Sequence, residues 1–423
     1  MRHSVLSPLA SNDLATYAQA ITLMKARSDF ASWEEQAKIH DAHCHHRTPY
    51  FLPWHRAYLH RFEEIVRMVT GEPQFALPYW PYAPSSQEED SRRLPPPFRD
   101  PASVLFDPSR NAAVNSGAAL SSGTCDPSAA MQYASLLKDP QGQGFSRALE
   151  VQPHNPVHVD INGNMLTSFS PLDPIFWLHH AQIDRLWQRW TNDGGVNPGA
   201  GTGWGNTKMV GFSDTAGDPS EPRAGDLLDT SELGYVYDTD VATFFGGSSI
   251  GLLDKERVMS DGSRIEAAAP LVRLRGGQAR INLESRRDEP LSILKLTQES
   301  PGRRVVLRLS GLTADRLVDT TYDVYLDLPP DTPPNPEGPH YVGKLALFTL
   351  GAHREGDHEH HHGGGDEIEY DITATASRLE QRGLGRGTGF SVVLIPTRPG
   401  VAYGEPVDSQ SEIQIERAII ETR

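Results

Sequence analysis

The sequence predicts a mainly α-helical first domain with long loops, followed by an all-β sandwich domain. Apolar residues recur at helical spacing in three places before residue 191, and short alternating runs separated by turn residues dominate after about residue 240. A chain of 423 residues also exceeds the usual size of one domain. We therefore place the first domain at 1–245, a linker at 246–265 and the second domain at 266–423.

Three helices are predicted in the first domain. The first covers Leu14–Lys25 and the second Trp54–Val69. The third begins at Asp173, a good N-cap residue, has Pro174 in its first turn and extends to about Trp190. One face of the second helix and one face of the third combine a histidine with apolar residues: His55 with Leu59, Phe62 and Val66, and His180 with Phe176, Ile183 and Trp187.

The remaining segments divide into loops and strands. Residues 84–130 and 192–230 are rich in Pro, Gly, Ser and Asp without periodicity, which indicates long surface loops. The second domain contains the alternating runs SRIEAA, LVRLRG, ARINLE, RVVLRLS, TYDVYLDL, YVGKLALFTL, EIEYDITATA and FSVVLIP. Such closely spaced short runs are typical of a sandwich or barrel.

The composition excludes several classes of partner. Acidic residues outnumber basic ones by 55 to 39, which disfavours nucleic acid and anionic membranes because both are negatively charged. A small neutral or weakly acidic substrate fits this balance, and assembly into a homo-oligomer is left open. Cys44 and Cys125 are too few for a disulfide framework. The first residues lack the apolar core of a signal peptide, so we expect a cytoplasmic location.

Histidines form three groups, IHDAHCHHRTPYFLPWH at 39–55, HNPVH at 154–158 and HH at 179–180. Imidazole groups without an accompanying thiolate cluster favour copper or zinc. His154 and His158 are four residues apart, so both rings lie on one helical face. A zinc peptidase would carry glutamate where Asn155 stands. A lone pair of this kind is more often structural, but three groups together predict a metal site, with one or two ions.

These segments resemble the signatures of the type 3 copper proteins, the family of tyrosinases, catechol oxidases and hemocyanins. SWEEQAKIHDAHCHHRTPYFLPWHRAYLHRFE looks like the copper A signature, and PHNPVH with SPLDPIFWLHHAQIDRLW looks like copper B. LGYVY at 233–237 is similar to the family's tyrosine motif, against which Arg2 is expected to pack. The later strands are similar to the C-terminal β-domain of plant polyphenol oxidases. The resemblance implies a four-helix bundle around a dicopper site.

Carried over residue by residue, the resemblance implies two copper ions with three histidine ligands each. His43, His45 and His179 are then additional histidines. His40 is preferred to His43, and His180 to its neighbour His179, although helical spacing alone leaves the second choice open. A thioether between Cys44 and His46 is also implied. The implied ligands are His40, His46 and His55 for the first ion, and His154, His158 and His180 for the second.

The same resemblance implies roles around the metals. A pair of cuprous ions can reduce dioxygen, the co-substrate, and a phenol must lose its proton to bind as phenolate. Glu150 and Asn155 would orient the water that takes this proton. Phe176 would pack on the ligands, and Asp184 would accept a hydrogen bond from a ligand ring. The predicted substrate entrance comprises Val159, Met165, Thr167 and Ser168.

We therefore expect a phenol-oxidising enzyme that hydroxylates monophenols and oxidises o-diphenols to o-quinones. The alternatives are a catechol oxidase or o-aminophenol oxidase without monophenolase activity, and a hemocyanin-like oxygen carrier. The second domain is expected to cover the site and keep the enzyme latent. A histidine-rich loop is interpreted as solvated, with copper delivery as the less favoured role; it contains His353, His358, His360, His361 and His362.

Overall fold

The computed structural model describes residues 1–82, 86–137, 143–239, 264–269, 271–285, 304–348, 366–384, 390–403, 405–407 and 411–423. Their contacts define two compact units. The first extends to His154 and resumes at Ile161, whereas the second combines Asn155–Asp160 with the described residues beyond 254. Most of the predicted linker at 246–265 lies outside the described residues.

The predicted helical character of the first half is confirmed. Helix α1 packs against α2 and α3, and α3 packs against α8. None of the described helices is both long and apolar enough to cross a membrane. The helices are α1 (Ser11–Lys25), α2 (Trp33–His43), α3 (Phe51–Thr70), α4 (Pro96–Arg99), α5 (Ala112–Asn115), α6 (Phe145–Leu149), α7 (Asn155–Ile161) and α8 (Ile175–Asn192).

Local chemistry explains where the long helices begin and end. The Ser32 hydroxyl accepts a hydrogen bond from the Glu35 backbone N–H at 3.1 Å, which caps α2. Helix α3 ends at Gly71, whose φ of 74° gives the left-handed conformation common after a last turn. At the start of α8, Asp173 accepts from the Ile175 N–H at 3.0 Å and pairs with the buried Arg110 at 2.6 Å.

The second unit is built mainly of β-strands, as predicted, and its sheets are antiparallel. Its strands are β3 (Arg264–Ala269), β4 (Val272–Leu274), β5 (Ala279–Ser285), β6 (Val305–Ala314), β7 (Thr321–Leu326), β8 (Tyr341–Leu345), β9 (Asp366–Asp371), β10 (Phe390–Thr397) and β11 (Ile413–Thr422), while the short β1 (Phe212–Ser213) and β2 (Pro219–Ser220) lie in the first unit. The strand order is β8, β7, β10, β5, β3, β11, β6, β9, with β4 also paired to β11. All these pairings are antiparallel.

Two features of this unit differ from the prediction. Strand β11, which the alternating runs did not include, pairs with β3, β4 and β6. The run EIEYDITATA is not one strand, because β9 ends at Asp371 and a helix, α9 (Thr373–Gln381), follows. The β-domain is confirmed, and Thr373 and Thr375 belong to a helix that follows β9.

Candidate metal centre

The first histidine cluster gathers one residue from α2, one from α3 and one from the loop between them. The ring centroids of His40 and His46 are 5.6 Å apart, those of His40 and His55 are 5.6 Å apart, and those of His46 and His55 are 5.2 Å apart. His40 and His55 are buried. These distances are short enough for the three rings to share one metal ion.

Backbone carbonyls orient two of these rings. The Nδ1–H of His40 donates to the Ser168 carbonyl, and that of His55 donates to the Phe51 carbonyl, each at 2.7 Å. A carbonyl oxygen can only accept, so both rings carry their proton on Nδ1 and present Nε2 on the opposite side. The Nε2 of His40 is buried and has no hydrogen-bond partner among the described residues. This donor set fits copper, which imidazole nitrogen binds well.

The neighbouring His43 and His45 contact residues outside the cluster. His43 is exposed, and its ring lies against Gly211, where an added Cβ would approach the ring to 2.6 Å. His45 lies 3.4 Å from the Thr48 hydroxyl and packs on Tyr50. The choice of His40 over His43 stays a prediction, and the geometry supports it.

The second cluster consists of four buried histidines. The nitrogens of His154, His158, His179 and His180 lie within 4.8 Å of one another. Rings of the two clusters also approach each other. The ring centroids of His46 and His154 are 5.3 Å apart, and those of His55 and His180 are 4.4 Å apart. Two adjacent clusters of this kind indicate a site for two metal ions.

His179 belongs to the cluster but has a different contact. Its Nδ1 lies 3.0 Å from the hydroxyl of Tyr82, and burial lowers the pKa of His179 to about 3, which keeps the ring neutral. His180 instead stacks on His55. The assignment of His180 as the ligand stays a prediction. Tyr82 was not recognised from the sequence, where it lies in a loop without any histidine nearby.

Glu150 lies beside the first cluster. Its Oε1 accepts the Arg47 backbone N–H at 2.7 Å and lies 3.4 Å from His46 Nδ1, while Oε2 accepts from Arg147 at 3.0 Å. Burial alone would raise the pKa of Glu150, but Arg147 and His46 outweigh it and lower the pKa to about 2. Asn155 is buried at the start of α7. The sequence gives a sign of the contact with Arg147, because Arg147 precedes Glu150 by three residues.

Phe176 lies between the clusters, with its ring 5.2 Å from His40 and 4.2 Å from His180. The sulfur of Cys44 and nitrogens of His40 and His46 lie within 4.8 Å of one another, so Cys44 is close to both rings. The thioether itself stays a prediction.

Asp184 has other partners than the expected histidine ring. Its carboxylate accepts from Arg2 at 2.9 Å, from Arg56 at 2.5 Å, and from the hydroxyls of Tyr235 and Tyr237 at 2.6 Å each. Arg2 also lies over the Tyr235 ring at 3.6 Å, as the LGYVY comparison implied. None of the hydrogen bonds described for Asp184 involves histidine. Asp184 therefore links α8 to arginine and tyrosine side chains.

The four residues predicted to form the substrate entrance differ in their exposure to solvent. Val159 and Met165 are buried, whereas Thr167 and Ser168 are partly exposed. Ser168 contacts His40 through its carbonyl. The entrance stays a prediction for all four. The histidine-rich loop with His353 lies outside the described residues.

Two neighbouring histidine clusters on a helical core, with an aromatic ring between them, fit the arrangement expected of a type 3 copper centre. The family model "Common central domain of tyrosinase" matches residues 21–136 and 125–193, which contain every histidine of both clusters. Residues 21–193 therefore carry the common central domain of tyrosinase, and the chain resembles the type 3 copper proteins. Residues 266–422 match a second model, described as "Domain of unknown function (DUF7868)".

Individual relatives extend this likeness. The chain is 28% identical to the tyrosinase HcTyr1 of Hahella sp. (strain CCB-MM4), over 92% of this chain and 93% of that protein. It is 24% identical to polyphenol oxidase C of Solanum lycopersicum, over 92% and 70%. The latent apple tyrosinase has the same fold, with a TM-score of 0.66 and 22% identity over 100% of this chain and 96% of the other. These names support the predicted class of dicopper oxidase.

The expected cytoplasmic location is contradicted. Three of the plant relatives, from Solanum lycopersicum and Malus domestica, are named as chloroplastic. The composition of the first residues therefore did not justify the prediction.

Proposed function

We propose that this chain is a dicopper oxidase that uses dioxygen to hydroxylate monophenols and to oxidise o-diphenols to o-quinones. The observation that carries the proposal is the contact between the two histidine clusters, with Glu150 beside them. His40, His46 and His55 would hold one copper, and His154, His158 and His180 the other. Bound as a pair in the cuprous state, the two ions would supply two electrons to dioxygen, and the phenolic substrate would supply the others.

The protein's own groups prepare this site. Carbonyl contacts hold the rings of His40 and His55 with Nε2 available, so little reorganisation accompanies metal binding. Phe176 packs on rings of both clusters. Glu150 is held in place by Arg47 and Arg147, which suits a carboxylate that orients a water molecule next to the substrate hydroxyl.

Oxygen uptake by copper-loaded protein tests the proposal. We expect uptake with catechol, and slower uptake with tyramine. Catechol oxidation without any tyramine hydroxylation would reduce the function to catechol oxidase, and a preference for o-aminophenol would change the substrate class. Two bound coppers with reversible oxygen binding and no catechol turnover would indicate an oxygen carrier, the function of the octopus hemocyanin whose functional unit shares the fold at a TM-score of 0.53.

We also propose that the second domain keeps the enzyme latent. The second compact unit includes Asn155–Asp160, and within it the ring of Phe348 stacks on His158, with centroids 4.3 Å apart and planes 27° from parallel. Thr321 on β7 donates to Asp160 at 3.1 Å. An aromatic ring on a copper ligand would occupy space that a phenol needs.

Limited proteolysis tests the latency. Cleavage between residues 240 and 265, followed by dissociation of the C-terminal fragment in low detergent, should raise catechol turnover per copper pair. Intact and cleaved protein must be compared at equal copper content. Equal turnover of both forms would leave the domain a structural role only.

A further inference from the structure

The loop that precedes α8 contacts the first histidine of the copper A cluster. The Ser168 carbonyl accepts the Nδ1–H of His40 at 2.7 Å. The hydroxyl of the same serine donates to Asp41, the residue after His40 on α2. A single residue therefore holds both the ligand ring and the next side chain of the helix that carries it.

The Thr167 side chain contacts the backbone on both sides of Ser168. The Thr167 hydroxyl donates to the Asn164 carbonyl at 3.0 Å and accepts the Phe169 N–H at 3.2 Å. Further along the same loop, the Leu172 carbonyl accepts from the indole N–H of Trp33 on α2 at 3.2 Å. The loop thus has contacts with both ends of α2, and Ser168 provides the one next to the cluster.

Neutral imidazole has two tautomers, and only one of them presents Nε2 to a metal while Nδ1 is protonated. The partner of the second nitrogen decides which tautomer is present and how the ring is oriented. At His40 that partner is a carbonyl in a loop, whereas at His55 it is a carbonyl of the same helix, one turn earlier. His40 therefore depends on an anchor outside its own helix.

We propose that Asp41 and Ser168 act as positioning residues for the copper-binding tautomer of His40. The proposal rests on the proposed function in that His40 binds copper. Asp41 holds the Ser168 hydroxyl, and this fixes the direction of the Ser168 carbonyl. Without the anchor the carbonyl rotates, the His40 ring loses its orientation, and the first copper is bound less tightly.

The test measures copper affinity by competition with a chelator, using full-length protein. Ser168→Ala and Asp41→Ala should each weaken binding of one copper by about tenfold, the lower end of the range for groups that orient metal ligands. Asp41→Asn, which keeps an acceptor oxygen, and Ser168→Thr, which keeps the hydroxyl, should restore most of the affinity. The second copper should bind as in the wild type.

Ser128→Ala is the matched control, because Ser128 makes the same kind of bond to Asp126 at 2.6 Å on the exposed surface. Unchanged copper affinity in Ser168→Ala and Asp41→Ala would overturn the proposal. A loss that Asp41→Asn fails to restore, or that only follows a fall in Tm, would also overturn it. Wild-type protein that binds no copper would refute the proposed function instead, so the two failures are distinguishable.

Discussion

The imidazole of His55 stacks on that of His180, with ring centroids 4.4 Å apart and planes 8° from parallel. The two rings belong to α3 and α8, and α3 packs against α8 in the helical core. The packing of these two helices therefore brings one ring of each histidine cluster into contact. The distance between two ions bound there would be set by the spacing of these helices.

His40→Ala should remove one of the two coppers, whereas His43→Ala should leave both. The two histidines are three residues apart, but His40 is buried in the cluster and His43 is exposed against Gly211. Copper per chain, measured after dialysis against a weak chelator, checks this. Two coppers retained in His40→Ala would show that the wrong histidine was chosen.

Glu150→Gln should lower tyramine hydroxylation by at least about tenfold and change catechol oxidation much less, because we propose that Glu150 assists proton loss for hydroxylation, a step that catechol oxidation lacks. Since the pKa of Glu150 is about 2, the carboxylate is ionised throughout the usual assay range. Its protonation should therefore contribute nothing to the pH profile of the wild type above pH 4. Equal losses with both substrates would indicate a role in copper binding instead.

Only His55 and His180 among the six implied ligands lie on helices with clear apolar periodicity, and the assignment of the other four as ligands comes from the family resemblance. His55 and His180 belong to apolar faces that the structure confirms as buried. His40 was harder, since α2 has no such face in the sequence and is marked only by Ser32 and Glu35, a serine followed three residues later by glutamate. The orientation of its ring by Ser168, 128 residues away, has no sequence signal at all.

The β-domain also contains elements that the sequence pattern did not predict. Strand β11 contains Glu416, Arg417 and Glu421 among its apolar residues, and this obscures the alternation although the strand pairs with three others. Helix α9 follows β9 after a single residue, so its Thr and Ala positions were read as a continuation of the strand. Phe348 lies just after β8, and its contact with His158 depends on long-range folding.

Phe348→Ala should raise catechol turnover of the uncleaved protein several-fold, because it removes the ring that stacks on His158. Leu271→Ala, at an apolar residue of the same domain that is 50% exposed, serves as the control and should have no effect. The initial rate at equal copper content is the measurement. An uncleaved variant that is as slow as the wild type would mean that this ring does not limit access.

Asp184→Ala should destabilise the helical half strongly. The change leaves Arg2 and Arg56 buried without the carboxylate between them, which costs about 3–5 kcal/mol and lowers Tm by roughly 10 °C. Asp193→Ala on the same helix breaks only an exposed pair with Arg189, for which we expect less than about 1 kcal/mol. Calorimetry of the two variants gives the comparison, and similar shifts in both would contradict it.

The stability of the wild type should also fall at acidic pH, because Asp184 becomes protonated there. Burial raises the pKa of this carboxyl, but Arg56 and Arg2 outweigh burial, so the folded-state pKa lies below the ordinary value. The stabilisation is therefore present above pH about 4 and is lost as the pH falls through the lowered pKa. The Tm of Asp184→Ala should change less with pH in this acidic range than that of the wild type.

The indole of Trp54 lies 5.0 Å from the His55 ring and 5.9 Å from the His40 ring. A cupric ion held by these imidazoles would be close enough to quench the fluorescence of this tryptophan. The protein thus contains its own optical reporter of metal loading. Emission recorded during a copper titration, with Trp54→Phe as the reference, would follow occupancy of this half of the centre without any substrate.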